Sequence, residues 1–263
     1  MTQSTKNHTD NIDFYDDKNH DYQDFWLGRD YEHLSEVAAI KKLLKNRHYK
    51  TVMDYGGGYG RLSVVLLDFA DKYILVDPSK QQLDIGKKKF KDKNVEYVLL
   101  TKKDYVPAED GSLDLLVMVR VSHHLPELDA TFAEIARALK PNGQAIIEIA
   151  NYAHFVHRLK HYVRFKKLPT RPVQVGSVAN GIAEDTPFVN HNPKTVIKEL
   201  EAQNLHVVKV LSVSNLRKGF LKKTLSPKQL VKLESALQSK LASSYFGPSI
   251  FFLVEKVDSS SPS

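Results

Sequence analysis

Asp54-Tyr55-Gly56-Gly57-Gly58-Tyr59-Gly60-Arg61 is the stretch of this chain with the most chemical content. Glycines at 56, 58 and 60 allow positive φ and a close approach of the backbone to a ligand. An acid two places before the first of them suits a cationic or amino-bearing group, directly or through water, and suits a pyrophosphate poorly. The spacing is D-x-G-x-G-x-G. A dinucleotide loop needs G-x-G-x-x-G, and the position that would carry its third glycine is Arg61. Two readings of the loop stay open: a bound nucleoside-like cofactor, or a tight strand-to-helix turn that needs glycine for its own sake. Two more acids follow. Asp77, in Val76-Asp77-Pro78-Ser79, can accept hydrogen bonds from both hydroxyls of a ribose, or can cap the helix that follows. Asp104, before Tyr105, is placed to accept from an exocyclic amine such as that of adenine, or is simply a surface acid after a Lys pair.

The elements that must position these residues can be read from periodicity. The apolar spacing predicts a helix over 31–46, then strands at 51–55, 72–76, 95–100, 113–119 and 144–150. Helices are expected at 60–70, at 79–91 with Ser79 as N-cap, and at 128–139, stopped by Pro141-Asn142-Gly143. Strands alternating with helices through short loops imply a doubly wound α/β fold, with a parallel sheet covered on both faces. The glycine bend then sits at the carboxyl edge of the sheet, where open α/β sheets bind ligands.

After residue 150 the rhythm changes. A basic helix is expected over 153–167, a lid-like loop over 168–192, and helices at 193–203 and 227–241. Strands are expected at 206–213 and 249–254. Residues 1–28 read as a flexible arm and 258–263 as a disordered tail. One domain is expected over 29–257, with a cap or lid insertion at about 151–192 and a basic insertion at about 214–245.

The residues from Asp54 to Gly60, Asp77, Asp104 with the following Pro107-Ala108-Glu109-Asp110-Gly111-Ser112-Leu113-Asp114, and Leu139-Lys140-Pro141-Asn142-Gly143-Gln144 resemble, in order and spacing, the class I S-adenosylmethionine-dependent methyltransferases. The likeness covers roughly residues 48–152. It is similar to the small-molecule branch related to ubiquinone-biosynthesis enzymes, whose last helix and antiparallel hairpin the late elements also resemble. The resemblance implies a Rossmann-like sheet of seven strands, mostly parallel with the last strand antiparallel, under a helical basic cap. It also implies S-adenosyl-L-methionine as cofactor and in-line methyl transfer to a small-molecule acceptor. By position, Gly56, Gly58 and Gly60 would line the methionine part and Asp54 would face its amino group. Asp77 would hold the ribose, and Asp104 the adenine amine with Tyr105 beside the ring. Gly57 departs from the pattern and is expected to add only flexibility.

The acceptor side is less legible. His124, in Ser122-His123-His124 after the fourth strand, is the candidate general base; His123 is expected to be structural. Asn151, Tyr152 and His154 follow the fifth strand and are placed similarly. Trp26, beside Arg29, could close over a ligand or pack the arm onto the domain. No helix-spaced His pair with a carboxylate is present, so no metal is expected, and the absence of Cys excludes thiolate ligands and a thiol nucleophile. Residues 1–150 carry 21 basic and 24 acidic side chains, and residues 151–263 carry 17 and 7. The basic helix 153–167 makes peripheral membrane contact conceivable; nucleic-acid binding is not expected, because no RNA-binding module is seen. With 42% hydrophobic and 26% charged residues, no secretory signal and no apolar run near the ~20 residues that span a bilayer, a cytoplasmic location is expected. Two rival readings remain. One is a different transfer reaction with the same cofactor; the other is a non-catalytic protein that binds the cofactor. A nicotinamide-dependent oxidoreductase is disfavoured by the glycine spacing and by Asp54.

Overall fold

The computed structural model describes residues 26–175, 188–217, 221 and 224–257. Seven strands form one sheet in the order β3-β2-β1-β4-β5-β9-β8. They are β1 (Tyr49–Tyr55), β2 (Ala70–Asp77), β3 (Val95–Leu99), β4 (Leu113–Met118), β5 (Leu139–Ala150), β8 (Leu205–Val213) and β9 (Ser249–Lys256). Strands β1 to β5 pair in parallel, and β9 runs antiparallel between β5 and β8. The mostly parallel sheet with one reversed strand is the one the sequence resemblance implies.

The central strands are near-continuous apolar runs because both faces are covered. Successive side chains point to opposite faces. Met53, Ile74 and Leu116 enter one core, which α4 (Asp129–Ala138) and α6 (Pro193–Ala202) cover with Phe132, Ile135, Val196 and Leu200. Val52, Leu75 and Leu115 enter the other, under α1 (Asp30–Leu43), α2 (Ser63–Leu66) and α3 (Lys80–Lys89). Ser79 caps α3 as expected, its side chain accepting from Gln82 N. A Ser226–Gln229 capping box with Pro227 in the first turn starts α7 (Pro227–Lys240). Helix α7 braces α1: Tyr31 Oη donates to Glu234 at 2.8 Å, and Gln238 Nε2 donates to Ser35 O at 2.9 Å.

Three expectations change. The helix foreseen over 60–70 is only α2 and a 3-10 turn, Leu67–Phe69, because Gly60 at φ 78° holds the chain out of helix and β2 already starts at Ala70. Pro141-Asn142-Gly143 lies inside β5, at an irregularity of the β4–β5 pairing where Asn142 takes φ 61°; β5 therefore starts directly after α4. The third change concerns the expected helical basic cap. The basic helix α5 (Phe155–Val163) is shorter than 153–167, and none of its residues is buried. The segment expected as a loop contains a two-stranded hairpin, β6 (Val173–Gln174) with β7 (Val189–Asn190). The rest of the lid, residues 176–187, lies outside the described residues, as do 1–25 of the arm, 258–263 of the tail and 218–220 and 222–223 of the basic insertion. No helix of the described residues is long and apolar enough to cross a membrane.

Candidate active site

Strand order reverses about β1 and β4, and there a crevice opens at the carboxyl edge. Asp54 stands in β1 with Leu75 of β2 on one side and Val117 of β4 on the other. Beyond Tyr55 the chain turns over the end of β2, where Gly56 N and Gly57 N both donate to Val76 O, at 2.8 and 3.1 Å. Gly56, Gly58 and Gly60 take φ of 71°, 58° and 78°. Gly57 has a second reason to be glycine. A Cβ there would lie 2.5 Å from Leu75 and 2.6 Å from the Asp54 carboxyl, so its contribution is close packing against the site's acid rather than added flexibility.

Asp54, the glycines 56 to 58 and Asp77 line one cleft together with Arg61, Leu62, Gln82, Val119 and Arg120. Asp54 is 1% exposed and accepts a 2.8 Å hydrogen bond from Tyr73 Oη, which also meets Ser63 Oγ. Burial pushes its carboxyl up to about 6, against the opposing hydrogen bond of Tyr73 and the charge of Arg61. Asp77 holds the loop and the next helix at once: Oδ2 accepts from Gly58 N at 2.7 Å and Oδ1 from Ser79 N at 2.9 Å. The N-cap of α3 is Ser79, and Asp77 supports it by accepting from the Ser79 N–H. Gln82, in the first turn of α3, is 1% exposed, and neither polar atom of its side chain has a partner. A buried amide left unmatched costs about 1–3 kcal/mol, and this one lies in the lining of the cleft.

Two arginines complete the lining. Glu36, fully buried in α1, bridges Arg61 (Nη2 to Oε2, 2.5 Å) and Arg120 (Nε to Oε1, 2.8 Å). Burial alone would raise the Glu36 pKa; the guanidinium groups of Arg120 and Arg61 outweigh it and hold the carboxyl below its usual range. Trp26 is buried with its ring 3.7 Å from the Arg61 guanidinium carbon, so it packs onto the domain at the cleft's edge. Arg120 has φ 66°, a strained value for a non-glycine residue. It is held at both ends, its side chain by Glu36 and its N–H by Glu148 Oε2 at 3.0 Å.

The other expected residues lie apart from this lining. Gly60 serves packing: a Cβ there would lie 2.6 Å from Ser63 Oγ and 2.7 Å from Phe90. Asp104 accepts from Thr131 Oγ1 at 2.8 Å, and Tyr105 is 38% exposed beside Lys102 and Arg137. His124 ends a 3-10 turn after β4, its ring 4.1 Å from that of His123 and 6.1 Å from that of Phe188. His123 is buried, and burial lowers its pKa well below the usual value, which fits a neutral structural ring. Asn151 is a brace, donating to Tyr245 O and Gly247 O. Among the described residues no group of three or more His, Asp or Glu side chains could hold a metal ion.

Sequence reasoning passed over Glu36, Gln82, Arg61 and Arg120. An acid on the apolar face of α1, beside Ala39 and Ile40, was the available signal for Glu36. Gln82 carried none.

Residues 53–147 match a family model described as a methyltransferase domain. A ubiquinone biosynthesis O-methyltransferase from Thiobacillus denitrificans is 25% identical over 171 residues, covering 58% of this chain and 73% of that protein. A ubiquinone/menaquinone biosynthesis C-methyltransferase from Shewanella frigidimarina is 28% identical, covering 55% of this chain and 57% of that protein. Coverage of the other leading relatives falls to 33–47% of their length. In fold, the chain is similar to an S-adenosylmethionine-dependent methyltransferase from Thermotoga maritima (TM-score 0.60, 19% identity, 92% of this chain and 98% of that one). It is also similar to geranyl diphosphate C-methyltransferase from Streptomyces coelicolor (TM-score 0.55, 14% identity, 85% and 76%). The glycine-bend cleft lies within the residues that match the methyltransferase-domain model, on a sheet similar to that of S-adenosylmethionine-dependent methyltransferases.

Proposed function

We propose that the cleft at the end of β1 holds S-adenosylmethionine between Asp54, Asp77, Gln82 and the two arginines, and that residues 29–257 act as one domain that methylates a small molecule. The observation that carries the assignment is a buried carboxyl with a raised pKa and a buried, unpartnered amide facing the same glycine-lined space. Both are costly to bury as they stand, and both are matched by a ligand that carries an ammonium group and polar ring edges.

In this reading Asp54 takes the ammonium group, Arg61 and Arg120 face the carboxylate, and Asp77 accepts from the ribose. The adenine-side role expected of Asp104 and Tyr105 passes to Gln82, which lines the cleft while they do not. When bound, the cofactor supplies a methyl group already activated by its sulfonium charge. The chain itself has to bind, orient and exclude water. His124 is the candidate base for an acceptor that must lose a proton, because the turn after β4 lies next to Val119 and Arg120 of the cleft.

A small-molecule acceptor is supported by the relatives, whose names refer to ubiquinone and menaquinone biosynthesis and to geranyl diphosphate. A cytoplasmic location is part of the same reading and is checked by fractionation. To test the function, the protein is incubated with methyl-labelled cofactor and a small-molecule extract, and labelled products are identified by mass. Label in a product heavier by one methylene unit supports the reading. Transfer of a larger fragment selects the other transfer chemistries, and tight cofactor binding without turnover on any pool selects a non-catalytic binder.

A further inference from the structure

Helix α5 is amphipathic with its faces reversed. Phe155, Val156, Leu159, Tyr162 and Val163 recur at i, i+1, i+4, i+7 and i+8, the spacing of a single stripe. On a helix covering a sheet that stripe would be buried. Here those side chains are 40–79% exposed, and Phe165, just past the helix end, is 98% exposed. The polar side faces the protein instead. The His157 ring lies 4.7 Å from that of Tyr152, with Nδ1 2.9 Å from Tyr152 O, and His161 Nε2 is 3.3 Å from Tyr152 Oη. The helix start is fixed to the fold, because Phe155 N donates to Phe246 O and the two rings stack at 5.1 Å.

Along the chain the charge of this segment has one sign. No Asp or Glu occurs between residues 149 and 183, while residues 158–171 contain six Arg and Lys. Monomers rarely leave a contiguous patch of large apolar side chains in water. An apolar stripe in a segment whose charged residues are all Lys or Arg suits the boundary between acyl chains and anionic headgroups, with Lys and Arg reaching outward to the phosphates. A second copy of the chain would bring the same cations against each other, and a nucleic acid has no use for the aliphatic stripe. We infer that α5 and Phe165 form an interfacial segment through which this protein docks on an anionic lipid bilayer. β5 ends at Ala150 and α5 begins at Phe155, so the segment leaves the sheet at its carboxyl edge.

The test uses the full chain without cofactor, so it does not depend on the methyl-transfer reading. Flotation is measured with vesicles of phosphatidylcholine alone and with about one third phosphatidylglycerol. The expected result is binding to the anionic vesicles that falls about tenfold or more in the double variant Leu159→Glu/Tyr162→Glu, and similarly in Lys166→Glu/Lys167→Glu. Melting temperature and S-adenosylmethionine affinity should stay unchanged in both, since neither pair lines the cleft. Failure to float with either vesicle overturns the inference, and so does flotation that survives the Leu159/Tyr162 change. A dimer in sedimentation that this variant dissolves would assign the stripe to self-association, and binding to a single-stranded RNA that ignores it would assign the charges to nucleic acid; either result also overturns the inference.

Discussion

Asp54 makes the cofactor reading quantitative. In the free protein its carboxyl is raised to about 6 from 3.8, chiefly by burial. The folded chain therefore holds this proton more tightly than the unfolded chain does. Ionising Asp54 costs stability as pH rises from the lower value to the higher, about 3 kcal/mol in all. An ammonium group beside the carboxylate reverses that preference, so the cofactor binds the ionised form. Below pH ~7.5 the cofactor's α-amino group stays protonated, which leaves the protein as the titrating partner. Between pH ~7 and pH ~5 the ionised fraction of a group with pKa about 6 falls about tenfold. The Kd for S-adenosylmethionine should therefore rise about tenfold over that range, equivalent to about 1.4 kcal/mol, and level off above pH ~7. Isothermal titration in buffers of different ionisation enthalpy reads both the affinity and the proton released on binding. Asp54→Asn should bind weakly with no such slope. That variant also separates Asp54 from His33, which lies 2.8 Å from Arg61 and whose own pKa is lowered by burial. A wild-type Kd that is flat from pH ~5 to ~7, or an Asp54→Asn protein that keeps the slope, would refute the placement of an ammonium group at this carboxyl.

Four further outcomes follow from the geometry. Gln82→Leu removes an unpartnered amide, so it should raise the melting temperature of the cofactor-free protein while weakening cofactor binding by about 1–2 kcal/mol; opposite signs in calorimetry and titration are the signature. Asp77→Ala should weaken binding by about 1–3 kcal/mol and also lower Tm, because Gly58 N and Ser79 N lose their acceptor; unchanged affinity by titration would remove Asp77 from the ribose role. Glu36→Gln leaves two guanidinium groups facing each other without their buried anion, a loss of about 3–5 kcal/mol that should lower Tm by roughly 10 °C in a thermal melt. The wild-type contribution of Glu36 is present above the unfolded carboxyl pKa and is lost as pH falls through its lowered folded value. His124→Ala should reduce kcat by about 10²-fold or more for an acceptor that must be deprotonated, with cofactor Kd unchanged; an equal loss in both would make His124 structural.

Local pattern carried most of the architecture. Alternating apolar strands and stripes fix which backbone segments become β1 to β5, and the glycines with Asp54 and Asp77 mark where the cleft opens, because glycines that allow positive φ and acids at strand ends are written in residue types. The amount of helix after the glycine bend was not legible, since competition between Gly60 and early pairing of Ala70 with Tyr49 decides it. The strand through Pro141-Asn142-Gly143 escaped for a similar reason, because strand pairing overrode a local stop signal.

By itself the sequence determined the order of the elements, the glycine bend and the two acids that flank it, because each depends on residues close together along the chain. Only the tertiary structure decided that Glu36 of α1 joins Arg61 and Arg120 over the cleft, that Gln82 is buried without a partner, and that the apolar side of α5 faces outward. Those facts depend on which surfaces meet when distant segments pack. Burial, charge pairing and exposure are properties of that meeting and have no counterpart in spacing along the chain.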